Sequence, residues 1–190
     1  MEYNLPSEIV KDLNFGDQAK TRIIAGVDKL AEAVKSTLGA SGKCVIYEDA
    51  RGKPVITKDG VTIAKFVTLD DPFENVGVQI LKQAAEQSAN KAGDGTTTTT
   101  VLTRGIINEA QKHITSGRSP IELKRGMDKA CEVICENLKE MATPIRTEED
   151  IFHVATISAN NDKHIGKLIA TAVDKAGKDG AINVEEARSM

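Results

Sequence analysis

Between Asp17 and Leu38 the apolar positions Ala19, Ile23, Ile24, Val27, Leu30, Ala31, Val34 and Leu38 recur every three or four residues. That period predicts a helix of about six turns, with Asp17 as its N-cap and Gly39 as its stop. Cys44-Val45-Ile46-Tyr47 and Pro54-Val55-Ile56-Thr57 are short apolar runs separated by the polar turn Glu48 to Lys53, and they predict a β-hairpin. The second strand leads into Lys58-Asp59-Gly60, after which Val61 to Ala64 resume a helical pattern. Pro72 opens a helix that runs through about Ala92, with Val76, Ile80, Leu81, Ala84 and Ala85 on one face. The next helix carries Val101, Leu102, Ile106, Ile107 and Ala110 and fades at Ser116-Gly117.

Ser119-Pro120-Ile121-Glu122 is the clearest start signal in the chain: serine at the N-cap, proline at the first helical position and glutamate at the third. That helix is expected to run to about Ala142, with Pro144 ending it. Thr147-Glu148-Glu149-Asp150 begins another helix, broken at Ser158 to Asp162, and a last one from Lys163 to Ala176 is stopped by Gly177. Asp179-Gly180 reads as a turn and Ala181 to Glu185 as the start of a strand with no partner, as if the fold continued beyond this sequence. A subdomain boundary is expected near Pro144.

Composition sharpens this mainly helical reading. Aromatics are 3% of the chain and tryptophan is missing, so the core must be built from Ala, Val, Ile and Leu. A net charge of -3 with 28% charged residues carries no nucleic-acid footprint. No apolar run approaches the roughly 20 residues of a membrane span. The N-terminal segment lacks the features of a secretory or transit peptide, so cytoplasm is the expected location. Cys44, Cys131 and Cys135 have no metal-ligand spacing and read as buried reduced thiols. His113, His153 and His164 are scattered, and no Ser/His/Asp or Cys/His grouping occurs.

The candidate chemistry lies in loops. Gly93-Asp94-Gly95 precedes five threonines, Thr96 to Thr100, and then an apolar helical run. Glycines allow close approach of a ligand to the backbone, and hydroxyls and amides of a first helical turn suit phosphate. Asp94 fits if a divalent cation bridges it to that phosphate. The same stretch could be a polar turn, or an edge strand of β-branched residues. Lys58-Asp59 at a strand end is a favourable place for chemistry, and equally a solvated ion pair at a hairpin exit. Thr37-Leu38-Gly39-Ala40 opens a loop at a helix end, where a plain terminator would look the same.

Together, Thr37-Leu38-Gly39, Ile56-Thr57-Lys58-Asp59-Gly60, Ala92-Gly93-Asp94-Gly95-Thr96-Thr97-Thr98, Leu123-Lys124-Arg125-Gly126 and Thr156-Ile157-Ser158-Ala159-Asn160 closely resemble the bacterial-type (group I) chaperonins, the GroEL family. The resemblance runs from about Lys11 to Glu185. It implies a helical equatorial-type ATP-binding domain with a small β-hairpin over residues 1–143, followed over 144–190 by the start of an α+β intermediate domain. By position, Thr37, Leu38, Gly39 and Ala40 would line the nucleotide, Lys58 would contact phosphate, and Gly95, Thr96, Thr97 and Thr98 would cradle the phosphates. Asp94 would hold Mg2+, Asp59 would act catalytically by orienting the attacking water or the ions around it, with K+ as a candidate second cation, and Ile157 would close an apolar wall.

The implied activity is ATP-driven, ring-based assistance of protein folding, with identical subunits as partners. Unfolded clients and a co-chaperonin would bind an apical domain that has no counterpart in these residues. Ala40 replaces the usual proline and Thr99 the usual alanine, and the first ten or so residues have no clear family counterpart. The returning limb with the family's essential hydrolytic aspartate and the second equatorial half also lie outside this sequence. Two rival readings fit the same residues: a non-catalytic fragment that docks into rings, and a small phosphotransferase, for which no acceptor site is visible.

Overall fold

The computed structural model describes residues 13–39, 41–49, 51–177 and 180–183. The elements run α1 (Gly16–Lys35), β1 (Val45–Glu48), β2 (Pro54–Thr57), α2 (Gly60–Phe66), α3 (Pro72–Ala92), α4 (Thr96–Thr115), α5 (Pro120–Met141), α6 (Glu148–Ser158) and α7 (Lys163–Ala176). The described residues are thus mainly helical with one small antiparallel sheet, as expected. The chain divides into two compact units, residues 1–123 and 124–190. The division falls inside α5, which buries none of its residues and so contributes no core to either unit.

The first unit is built on the crossing of α1 and α3. Gly26 and Gly77 let the two backbones meet: a Cβ on Gly26 would lie 1.8 Å from the Glu74 carbonyl oxygen, and one on Gly77 2.0 Å from that of Ile23. Around this contact Val27, Leu30, Ala31, Val34, Val78 and Leu81 form the core, joined by Ile63 and Ala64 of α2. Each large aliphatic side chain buried there contributes about 1.5–3 kcal/mol. Asp71 caps α3 by accepting from the backbone N–H of Phe73 and Glu74, and it also accepts from Arg22 Nε and Nη2 at 3.0 and 2.6 Å. The Arg22 guanidinium lies 4.2 Å from the Phe73 ring centroid. Arg104 of α4 reaches back to α1, donating to Asp28 at 2.6 Å and to Glu32.

In the hairpin Val45 pairs with Thr57 and Ile46 with Ile56, and Gly52 takes φ 74° in its turn. Tyr47 stacks on Phe66 at 4.5 Å between ring centroids, tying β1 to the end of α2. In the second unit a full capping box between Thr147 and Asp150 starts α6. Asn160 and Asn161 then take positive φ to end it, and Gly166 of α7 packs against Thr156 of α6.

Several expectations need correction. The N-cap of α1 is Phe15, one residue before the helix starts at Gly16, and Asp17 sits in the first turn. The same helix stops at Lys35, because Thr37 and Leu38 turn back onto Val34 and Lys35, so Leu38 lies in the loop. On α3 the buried stripe is Gly77, Val78, Leu81 and Ala85, while Val76 and Ile80 face solvent. This helix carries two apolar stripes, and the one containing glycine wins because it admits α1 at backbone distance. Cys44, Cys131 and Cys135 are exposed thiols. Residues 181–183 form no strand, and Val184 and Glu185 of the expected strand, like Asp179 of the expected turn, lie outside the described residues.

Candidate functional site

Two of the stretches singled out by the sequence, Lys58 to Gly60 and Gly93 to Thr100, meet in the first unit at Gly60, against the last turn of α1. Gly60 is the first residue of α2, and a Cβ there would lie 2.2 Å from Thr97 Oγ1 and 3.2 Å from Val34 Cγ1. The start of α2 therefore touches both the first turn of α4 and the last turn of α1.

Asp59 is the N-cap of α2. Its Oδ1 accepts from Val61 N–H at 3.2 Å, and its Oδ2 from Thr62 N–H at 3.0 Å and Thr62 Oγ1 at 2.5 Å. Partial burial pushes this carboxyl upward, but the hydrogen bonds from Thr62 and Val61 outweigh it and hold the group below its ordinary 3.8. Asp59 is thus a fixed anion and a weak base. It remains exposed, as does Lys58 beside it. Asp59 N–H in turn donates to Thr57 Oγ1 at 3.0 Å, locking the strand exit.

The Gly93-Asp94-Gly95 loop has both glycines left-handed, at φ 72° and 77°. Gly93 ends α3 by donating to Ala89 carbonyl at 2.9 Å, and Gly95 is the N-cap of α4. No side chain caps α4, whereas Asp59, Asp71, Thr147 and Asp162 cap α2, α3, α6 and α7. The first-turn amides of this 20-residue helix are left for another acceptor, at its positive end. Thr96 and Thr97 are half-buried and Thr98 is exposed, while Thr100 is buried with Oγ1 donating to Thr96 carbonyl at 2.9 Å. All five threonines are helical, which removes the edge-strand alternative. Asp94 Oδ1 accepts from Gly95 N–H at 2.6 Å, and Asp94 is exposed.

The loop after α1 is closed on itself. Thr37 Oγ1 donates to Val34 carbonyl at 2.8 Å, Lys43 N–H to Ser36 carbonyl at 2.8 Å, and Gly42 sits where a Cβ would be 2.2 Å from Thr37 carbonyl. Leu38 is exposed and Gly39 has φ 79°. Ala40 lies outside the described residues. Ile157 belongs to the second unit, on the last turn of α6, and its side chain is 69% exposed.

Three residues that shape the site escaped the sequence reading. Thr62 grips Asp59, and a D-x-x-T pattern at a helix start was available to flag it. Val34 touches Gly60 only through the tertiary fold. Ser88, whose Oγ donates to Asp94 carbonyl at 2.8 Å, sits a turn before the end of α3 with no local signal. A groove of about 990 Å³ between α1 and α4, lined by Asp28, Arg104 and Asn108 among others, is a separate feature of the same unit.

A helical domain bearing one small antiparallel hairpin is consistent with a chaperonin equatorial domain. Residues 30–190 match the TCP-1/cpn60 chaperonin family, and the chain belongs to that family. Its fold is similar to the crystal structure of a group III chaperonin in the open state, with a TM-score of 0.71 and 25% sequence identity. The match covers 83% of this chain and 32% of that one, so the chain spans about a third of that relative's length. No helix among the described residues is long and apolar enough to cross a membrane.

Proposed function

We propose that the chain is the N-terminal part of a group I chaperonin subunit and that it binds Mg-ATP where α1 ends and α2 and α4 begin. The observation that carries this reading is the contact of Gly60 with Thr97. It joins the Lys58-Asp59-Gly60 and Asp94 to Thr98 motifs into one surface beside an uncapped helix start. The group I assignment rests on the Thr57 to Gly60 and Thr156 to Asn160 wording. In this reading residues 1–143 are the first half of an equatorial domain and 144–190 the first limb of an intermediate domain.

The residues present suit the nucleotide. A Cβ at Gly93 would meet nothing within 4 Å and one at Gly95 only Ser88 Oγ at 3.6 Å, so the loop is open to a ligand. Thr96, Thr97 and Thr98 offer amides and hydroxyls to phosphate, and Lys58 offers a cation. No group of three or more His, Cys, Asp or Glu among the described residues is arranged to hold a metal. A single carboxylate such as Asp94 suits Mg2+, which takes most of its ligands from phosphate and water. Thr37, Leu38 and Gly39 border the nucleotide in this reading, and it is the resemblance alone that adds Ala40 and Ile157 to them. The metal ion supplies charge neutralisation during phosphoryl transfer. Asp59, held ionised by Thr62, orients the attacking water or a second cation such as K+.

In the parent protein, nucleotide binding and hydrolysis drive assisted folding within a ring of identical subunits, in the cytoplasm. Clients and co-chaperonin engage the apical domain. The 190-residue chain alone binds nucleotide weakly and hydrolyses almost none, because the resemblance places the hydrolytic aspartate and half the pocket outside these residues. A docking-only fragment is the second reading, favoured by the exposed Ile121, Val133, Ile134 and Leu138 on α5. Titration with labelled ATP separates the two: binding that requires Mg2+ and is lost in Asp94→Ala supports the nucleotide site, and magnesium-independent or undetectable binding supports docking alone.

A further inference from the structure

We infer that Ser88 is a positioning residue for the magnesium ligand Asp94, an inference that rests on the nucleotide reading above. The peptide unit between Asp94 and Gly95 is held at both ends. Its carbonyl accepts from Ser88 Oγ at 2.8 Å, and its N–H donates to Asp94 Oδ1 at 2.6 Å. The second bond fixes the carboxylate against its own backbone, so the orientation of Oδ2 follows that of the peptide plane. The first bond is what anchors that plane to α3.

The loop needs such an anchor. Both flanking residues are glycines in the left-handed region, each with wide conformational freedom. The helix it opens has no side-chain cap to hold the turn. Ser88 is half-buried in α3, whose neighbouring Leu81 and Ala85 are core residues, so its hydroxyl projects from a rigid element. A hydrogen bond from a fixed helix to the backbone of a metal-bearing loop orients the ligand without touching the ion, and losing such a partner typically costs about 10–100-fold in metal affinity.

The test compares Ser88→Thr with Ser88→Val in the full chain. The two side chains share shape and helix cost, and only threonine keeps the hydroxyl. The reading is the Mg2+ concentration giving half-maximal binding of labelled ATP. Ser88→Val is expected to raise this midpoint about tenfold, while Ser88→Thr stays near wild type. Valine and threonine variants with the same midpoint would overturn the proposal, provided wild type depends on Mg2+ and Asp94→Ala abolishes that dependence. If wild type shows no magnesium dependence, or keeps it in Asp94→Ala, the nucleotide reading itself fails and this inference with it.

Discussion

Gly60 and Thr97 approach so closely that a methyl group on Gly60 would lie 2.2 Å from the Thr97 hydroxyl oxygen. The neighbours are the Thr97 side chain in the first turn of α4 and Val34 of the core, and at least the first of them must shift to admit a methyl group. Gly60→Ala is therefore expected to cost about 1–3 kcal/mol through overpacking and to weaken nucleotide binding by displacing Thr97. Gly105→Ala on the same helix α4 meets nothing within 4 Å. It should be neutral or add up to about 1 kcal/mol from helix propensity. Chemical denaturation of both variants checks the contrast, and equal effects would contradict it.

The α1–α3 crossing gives a second expectation. Gly26 and Gly77 each face the other helix's backbone at less than contact distance for any side chain. Either glycine replaced by alanine should destabilise by about 1–3 kcal/mol or more. Once one substitution has forced the helices apart, the other meets less resistance, so the double variant should lose less than the sum. A double-mutant cycle by urea unfolding reads the coupling directly, and additive losses would show that the two contacts are independent.

These glycines show what the sequence could and could not disclose. The bounds of α3 and α7, the hairpin and the capped start of α6 were legible, because Pro72, Gly93, Thr147 and Gly177 are local signals with local causes. The buried face of α3 was not, since Val76 and Ile80 are as apolar as Val78 and Leu81, and only the presence of α1 against Gly77 decides between them. The site behaved likewise. Each loop could be picked out by its glycines and acids, but each also had a bland reading, and only the family resemblance assembled them. Val34 meets Gly60 only across the fold, and the Ser88 hydroxyl reaches the Asp94 carbonyl six residues on with no motif to mark it.

Asp71 sets a pH expectation. Its hydrogen bonds from Arg22, opposed by some desolvation and reinforced by the Glu74 and Phe73 amides, hold its carboxyl below the ordinary 3.8. A carboxyl depressed in the folded state stabilises above its unfolded pKa and loses that contribution as pH falls through the folded value. Wild type should thus melt above Asp71→Asn near neutral pH, and the gap should narrow as pH drops below 3.8. A gap that stays constant through acid would rule out the ion pair as its source.

On α5 the exposed Cys131 thiol is pushed above its ordinary 9.0, first by its hydrogen bond with Cys135 and then by the charges of Cys135, Asp128 and Glu132. Thiolate is the reactive form. Cys135→Ala should consequently speed alkylation of Cys131 at mildly alkaline pH, measured by mass spectrometry of the modified peptide. An unchanged or slower rate would remove Cys135 as the cause.

Nucleotide and metal are proposed to sit where α2 and α4 begin. Replacing Mg2+ by paramagnetic Mn2+ with ADP and recording amide resonances locates the ion without relying on turnover. With the ion beside Asp94, the strongest broadening falls at Gly60, Gly95, Thr96 and Thr97 and is lost in Asp94→Ala. Broadening centred instead on Arg104 and Asn108, in the groove between α1 and α4, would contradict it.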